Sequence, residues 1–263
     1  MKTFLSEYRH DYNTYTFGYT IYCVCEERSE LDDIYDQGFL PYTGDLGLKY
    51  DLFYKSRGIR VRLADFKDSS ENRRVNRKME SLGITFEMIP VESYERIEQF
   101  VEFARKYSEE RIGEDKMPLQ RIRYILGRRY LTHILPFTSA GVIIGYVLAV
   151  VTDRQFHYWF SFYDTRFLDQ NKPLGKWLMW KCIHIARELG KEHIYLGNGY
   201  LEKSLYKTRD FKSVEFYDGN SWSGDLKRLQ QLCLSDAVLP ELDAFKLNDR
   251  RNEWIAAEMA RKK

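Results

Sequence analysis

The residue types able to do chemistry gather between positions 156 and 210. Tyr163-Asp164 close an aromatic run, QFHYWFSFYDT. A carboxylate at a strand end can take a proton from an attacking amine or hold a cationic N-terminus. It can equally cap a turn or pair with an arginine. Gly175-Lys176 follow Pro173-Leu174 at the start of a helical stretch. Backbone N–H groups at a helix start can grip phosphate, and a glycine there can instead serve close packing. Trp177 follows, and a bulky indole at that point is expected to obstruct a pyrophosphate. Asn198 sits between Gly197 and Gly199. It could orient a substrate or take a left-handed turn conformation. Tyr206-Lys207 lie on a short helical stretch just beyond.

Two basic clusters stand apart from these. Arg73, Arg74, Arg77 and Lys78 fall on little more than two helical turns, and Arg73, Arg77 and Lys78 share one face. Arg121, Arg123, Arg128 and Arg129 form the second. Such patches neutralise phosphates, or are simply solvated faces. The net charge of the 263-residue chain is only +2, so any nucleic acid must be held by local patches.

Four cysteines without regular spacing argue against a disulfide framework. Cys23 and Cys25 supply two thiolates, whereas a closed zinc or cluster site needs four ligands. No metal site is expected. No Ser-His-Asp arrangement or G-x-S-x-G motif is visible, which disfavours nucleophilic hydrolysis. The beginning, MKTFLSEYRHDYNTY, has no apolar leader segment, and Val142 to Val151 is too short to span a bilayer. The expectation is a cytoplasmic protein with no membrane partner.

The elements that must position these residues can be read from periodicity and turn chemistry. Thr14 to Cys25 reads as a strand, and Tyr50 to Leu63 as a strand or two. Ser69 to Leu82 reads as a basic helix capped by Ser69 or Ser70 and stopped by Gly83. Val91 to Arg111 carries an apolar stripe of Tyr94, Ile97, Phe100, Val101, Ala104 and Tyr107 at helical spacing. Arg129 to Phe137, Gly141 to Val151 and Gln155 to Tyr163 read as an antiparallel meander. Leu174 to Leu189 is a helix, His193 to Gly197 a strand, Leu201 to Thr208 a helix and Ser213 to Tyr217 a strand. Two helices are expected in the tail, near Gly224 to Leu234 and from Asn248 onward. The order β-β-β-α-β-α-β gives an α/β fold with a mixed sheet and helices on both faces. That order resembles GNAT-type acyltransferases. We expect a GNAT-like acyltransferase domain over residues 91–263, preceded by a smaller N-terminal domain over 1–90 that carries the basic helix.

Two blocks carry a more specific resemblance. From Tyr35 to Met79 come Asp36-Gln37-Gly38-Phe39, Thr43-Gly44-Asp45, Arg60, Phe66, Ser69 and RRVNRKM. From Phe160 to Trp222 come SFYDT, PLGKWLMWKCIHIARELG and IYLGNGYLEKSLYKTRDFKSVEF. In order and spacing they resemble the arginyl-tRNA–protein transferase family, including its bacterial members that transfer leucine. The blocks cover nearly half of the chain. Two departures stand out. The family's cysteine set, which holds zinc or an iron–sulfur cluster, is reduced to Cys23 and Cys25. Its L-G-Y-W run becomes Leu196-Gly197-Asn198-Gly199, which should alter the acceptor or aminoacyl pocket.

The resemblance implies an enzyme that moves an amino acid of the arginine or leucine class from tRNA to the N-terminal amine of a protein or peptide. Aminoacyl-tRNA would be the co-substrate, with no other cofactor. Asp164, Tyr163 and Tyr206 would serve catalysis. Asn198, Lys207, Gly175 and Lys176 would bind substrate. Arg73, Arg74, Arg77, Lys78, Arg128 and Arg129 would bind tRNA. A small-molecule acceptor, or acyl-CoA as the donor on the same fold, are the alternatives.

Overall fold

The computed structural model describes residues 1–13, 16–113, 116–169 and 173–236, together with Glu253 and Ala260. The helix expected from Asn248 onward lies outside the described residues. Chain order is β1 (Lys2–Asp11), β2 (Thr16–Cys25), α1 (Leu31–Asp36), β3 (Phe39–Pro41), β4 (Asp51–Lys55), β5 (Gly58–Arg62), α2 (Ser70–Glu80), β6 (Thr85–Phe86), β7 (Ile89–Pro90) and α3 (Ile97–Arg111). It continues with α4 (Leu119–Leu126), β8 (His133–Ser139), β9 (Val142–Val151), β10 (Gln155–Tyr163), α5 (Arg166–Asp169), α6 (Leu174–Glu188), β11 (His193–Asn198), α7 (Tyr206–Asp210), β12 (Val214–Tyr217), β13 (Trp222–Ser223) and α8 (Leu226–Ser235).

The strands form two sheets. Four strands in the order β1-β2-β4-β3 make the N-terminal sheet. The large mixed sheet runs β13-β12-β5-β11-β10-β9-β8-β6, with β7 beside β8. The β8-β9-β10 meander is antiparallel, as its short connections require. Strand β9, VIIGYVLAVV, is apolar almost throughout because both of its faces are covered. Leu135, Phe137, Val147 and Ala149 face a core shared with α2 and α6. Their neighbours Ile134, Tyr146 and Leu148 face the core of α3 and α4.

Strand β5 falls in the stretch read as a strand or two, but periodicity does not show the sheet it joins. It lies in the first quarter of the chain yet sits inside the large sheet, antiparallel to β11 on one side and β12 on the other. Val61 pairs with both Ile194 and Val214. The stretch around it holds the N-terminal sheet against the large one. Asp36 accepts hydrogen bonds from Gln155 and Tyr195 and pairs with Arg154 at 2.5 Å. Its carbonyl accepts from the Trp222 indole at 2.8 Å. Arg60 stacks on Trp222 at 4.1 Å and pairs with Glu215 at 2.9 Å. Gly38 has φ +80, and a Cβ there would collide with the Tyr217 ring. The sequence motif around Asp36, Gly38 and Arg60 is therefore the joint between the two sheets.

Helix α2 begins where expected, with the Ser69 hydroxyl accepting from the Asn72 N–H at 3.1 Å. The stretch Val91 to Arg111 is not one helix. A 3₁₀ turn at Val91–Ser93 precedes α3, and Tyr94 is extended between them. Among the described residues no helix is long and apolar enough to cross a membrane.

Candidate functional site

Strands β10 and β11 are parallel partners only over Gln155–His157 and His193–Tyr195. Beyond that point β10 stays with β9 alone, to Tyr163 opposite Gly145, and β11 with β5, to Asn198 opposite Gly58. Both departures begin at a bulge, between Tyr158 and Phe160 and between Tyr195 and Asn198. Bulges add twist and bend a strand away from its neighbour. Gly197 completes the turn at φ +81, so the left-handed residue is the glycine and not Asn198.

The opening is a cavity of 680 Å³. Of the residues singled out in the sequence, Tyr163, Gly175, Lys176, Asn198, Tyr206 and Lys207 all line it. Asp164 does not. Successive side chains of a strand point to opposite faces. The Asp164 carboxylate lines a neighbouring cavity of 230 Å³ with Tyr163, Lys106 and Glu110. Arg166 spans it at 2.6 Å, and that hydrogen bond holds the carboxyl below its ordinary range. The expected base is thus an ion-paired carboxylate beside the site.

Lys207 projects from α7 to the end of β11, where its ammonium donates to the Asn198 carbonyl at 2.8 Å. The residue is only 9% exposed, and burial pushes its pKa down to about 8. Burial also raises the Tyr206 phenol to about 12, so it stays protonated. The Asn198 side-chain amide donates to the Tyr54 hydroxyl at 3.2 Å.

The N-terminus of α6 opens on the cavity. Gly175 is required there, because a Cβ would stand 2.6 Å from the Tyr163 ring. Trp177 does not obstruct it as the sequence suggested. Its indole is buried against α2 and donates to Asn76 at 3.1 Å, since position 177 falls on the helix face turned to the core. Lys176 stays at the cavity wall, paired with Asp210 at 3.2 Å and with Glu71 of α2 at 3.5 Å.

Several cavity residues were not among those expected to act. Arg121 reaches the wall from α4. Its guanidinium donates to the Lys116 carbonyl at 2.7 Å and to the Thr43 hydroxyl at 2.9 Å, and its Nε is buried without a partner among the described residues. His157 lies at the floor, where the strands part, and bonds the Tyr35 hydroxyl at 3.0 Å. Tyr107 packs on Tyr163 at 4.9 Å. Arg121 stands out only in a basic cluster and Tyr107 only in an apolar stripe, and a linear sequence does not show the contacts across the fold that bring them and His157 to the cavity. Among the described residues the cavity lining holds three cations, Arg121, Lys176 and Lys207, and no carboxylate.

The basic clusters divide. Arg77 and Lys78 are exposed on α2. Arg74 is paired with Glu71 at 2.7 Å, and Arg73 donates to the Asp68 carbonyl. Arg128 stacks on Tyr124 at 3.9 Å and is mostly buried. Arg129 is exposed but pairs with Asp51 at 2.8 Å. The last two hold α4 to the N-terminal sheet through Asp51.

A metal does not fit the cysteines. Cys23 and Cys25 face the same side of β2, both buried, and burial raises each thiol to about 11. Cys25 donates to the Glu27 carbonyl at 3.2 Å. Among the described residues no group of three or more His, Cys, Asp or Glu is placed to hold a metal ion.

Comparison with known proteins bears on this architecture. The chain is 26% identical over 174 residues to an aspartate/glutamate leucyltransferase of Chromohalobacter salexigens, which takes in 62% of this chain and 66% of that protein. It also resembles the solved structure of L-PGS from Bacillus licheniformis, at TM-score 0.42 and 17% identity over 65% of this chain and 50% of that one. A conserved protein of unknown function from Bacteroides thetaiotaomicron gives TM-score 0.43 and 16% identity over 73% of this chain and 64% of that one. Residues 68–212, more than half of the chain, match the family described as the acetyltransferase (GNAT) domain, and with its mixed sheet and split strand this chain belongs to that family.

Proposed function

We propose that this protein transfers an uncharged, leucine-class amino acid from its ester on tRNA to the N-terminal amine of a protein or peptide that begins with an acidic residue. The observation that supports this best is the charge of the cavity, with Arg121, Lys176 and Lys207 in its lining and, among the described residues, no Asp or Glu. An arginyl side chain would bring another cation into a half-enclosed space with no carboxylate to receive it. An aliphatic side chain would meet Leu40, Phe160, Met179 and Leu196 instead. The Chromohalobacter salexigens relative is described as a leucyltransferase acting on aspartate and glutamate. An acidic acceptor residue suits Arg121, whose partners among the described residues are a carbonyl and a hydroxyl.

The chemistry is aminolysis. The ester is already activated, so no enzyme nucleophile is needed, and holding amine and carbonyl together supplies most of the rate. An α-amino group has an ordinary pKa of about 8. Lys207, also near 8, is matched to relieve it of its proton. The Tyr163 and Tyr206 hydroxyls would orient the two substrates. Arg77 and Lys78 would contact tRNA phosphates. Incorporation of labelled amino acids from a charged tRNA pool into peptides with varied N-termini tests the reading. Transfer of leucine to Asp- or Glu-initiated peptides is expected. Transfer of arginine instead would overturn the donor assignment.

A second reading, acyl transfer from acyl-CoA, gains from the position of Trp177. With the indole turned into the core, the start of the 15-residue helix α6 is open to a pyrophosphate. Acetyl transfer from CoA with no use of charged tRNA would establish it.

A further inference from the structure

His157 is 2% exposed and stands at the last register position that β10 shares with β11, opposite Tyr195. Its ring is part of the cavity floor. On its far side Nδ1 lies 3.0 Å from the hydroxyl of Tyr35, which is fully buried on α1. A neutral imidazole has one donor and one acceptor nitrogen, and its partners decide which is which. Among the described residues the Tyr35 hydroxyl has no other acceptor. If Nδ1 carried the proton, the buried phenolic O–H would have nowhere to donate, and a buried donor without an acceptor is costly. The satisfied arrangement has Tyr35 donating to Nδ1, which leaves the hydrogen on Nε2, the nitrogen that Tyr35 does not engage.

We infer that His157 donates a hydrogen bond from Nε2 to the carbonyl oxygen of the acyl donor, with Tyr35 as the residue that fixes its tautomer. Burial and the nearby Lys207 ammonium hold the imidazole neutral down to about pH 3, so it serves as an electrophilic donor and not as an acid or base. In the step itself the acceptor nitrogen bonds to the carbonyl carbon and the bond from that carbon to the leaving oxygen breaks. The amine proton ends on the leaving oxygen, and His157 keeps its own. The inference rests on the transferase reading only in requiring an acyl carbonyl, and it holds for a tRNA ester or for a thioester, where the bond that breaks is to sulfur and the proton ends there.

The test sets His157→Gln against His157→Asn. A glutamine amide reaches about as far as Nε2 and can donate into the cavity. An asparagine amide reaches about as far as Nδ1 and can keep the bond to Tyr35. A donor role predicts that His157→Gln has at least about 10-fold the kcat of His157→Asn, with KM for both substrates little changed. A purely structural role predicts the reverse order, and that result would overturn the inference. Should either variant fail to fold, the ¹⁵N shifts of the His157 imidazole in the unaltered protein decide. Protonation at Nε2 is expected, moving toward a tautomer mixture in Tyr35→Phe, and protonation at Nδ1 overturns the inference. A wild type that uses acyl-CoA but not charged tRNA sinks only the donor assignment, and the two variants are then compared with acyl-CoA. A wild type that uses neither overturns both.

Discussion

The ammonium of Lys207 and the carbonyl of Asn198 meet at 2.8 Å, tying helix α7 to the end of β11 at the edge of the split. The bond explains how a lysine can be buried without a carboxylate, and it leaves the remaining N–H groups for the cavity.

Burial lowers the Lys207 pKa from 10.5 to about 8. Between those values the unfolded chain binds more protons than the folded one, so stability rises with pH across that window. Lys207→Met should flatten this rise in a series of denaturant unfolding curves. The same substitution should reduce kcat about 100-fold or more, in the range typical of a lost acid–base group. Lys207→Arg should not restore activity, because a guanidinium does not give up its proton at neutral pH.

Gly175→Ala places a methyl group 2.6 Å from the Tyr163 ring carbon. Overpacking of this kind costs about 1–3 kcal/mol. A lowered thermal midpoint is expected together with a loss of kcat that exceeds the loss of folded protein, because the collision displaces Tyr163 at the cavity wall. An unchanged kcat in the folded fraction would separate Tyr163 from the chemistry.

Arg121→Met removes the cavity cation held between Thr43 and Lys116. A charge-assisted hydrogen bond is worth about 1.5–3 kcal/mol. KM for an Asp-initiated peptide should therefore rise about 10- to 100-fold, while KM for its Asn-initiated counterpart changes little. Equal effects on the two peptides would show that Arg121 is holding the Thr43 loop and not reading charge.

On α2, reversing Arg77 and Lys78 to Glu should weaken tRNA binding and flatten its salt dependence. Each lost phosphate contact lowers the slope of log K against log salt by about one. Arg74→Ala should have a smaller effect, since its guanidinium already engages Glu71. Filter binding across a salt series reads both.

Chelation of metals should leave activity and thermal midpoint unchanged, because Cys23 and Cys25 are buried thiols bonded to backbone carbonyls. A loss of activity on dialysis against chelator, restored by zinc, would contradict the donor set seen here.

The sequence by itself determined the local elements and their order. Helix caps such as Ser69, the apolar period of α3 and the turn residues between β8, β9 and β10 act over a few residues, so they can be read from a linear string. It also marked part of the cavity, because Tyr163, Gly175, Asn198 and Lys207 stand at strand and helix ends that the element order brings to one edge. Tertiary structure decided what depends on long-range contact. Strand β5 enters the large sheet from the first quarter of the chain, and its partners at Ile194 and Val214 are more than 130 residues away. The outward turn of Asp164, the inward turn of Trp177 and the meeting of Tyr35 with His157 follow from which face each backbone presents to a neighbour. A one-residue difference in bulge position reverses such a face. No local pattern of residue types encodes that choice. It is made by packing, when two sheets, the rings of Tyr35, Phe53, His157, Tyr195 and Trp222, and the half-buried charge of Asp36 find the one arrangement that satisfies them together.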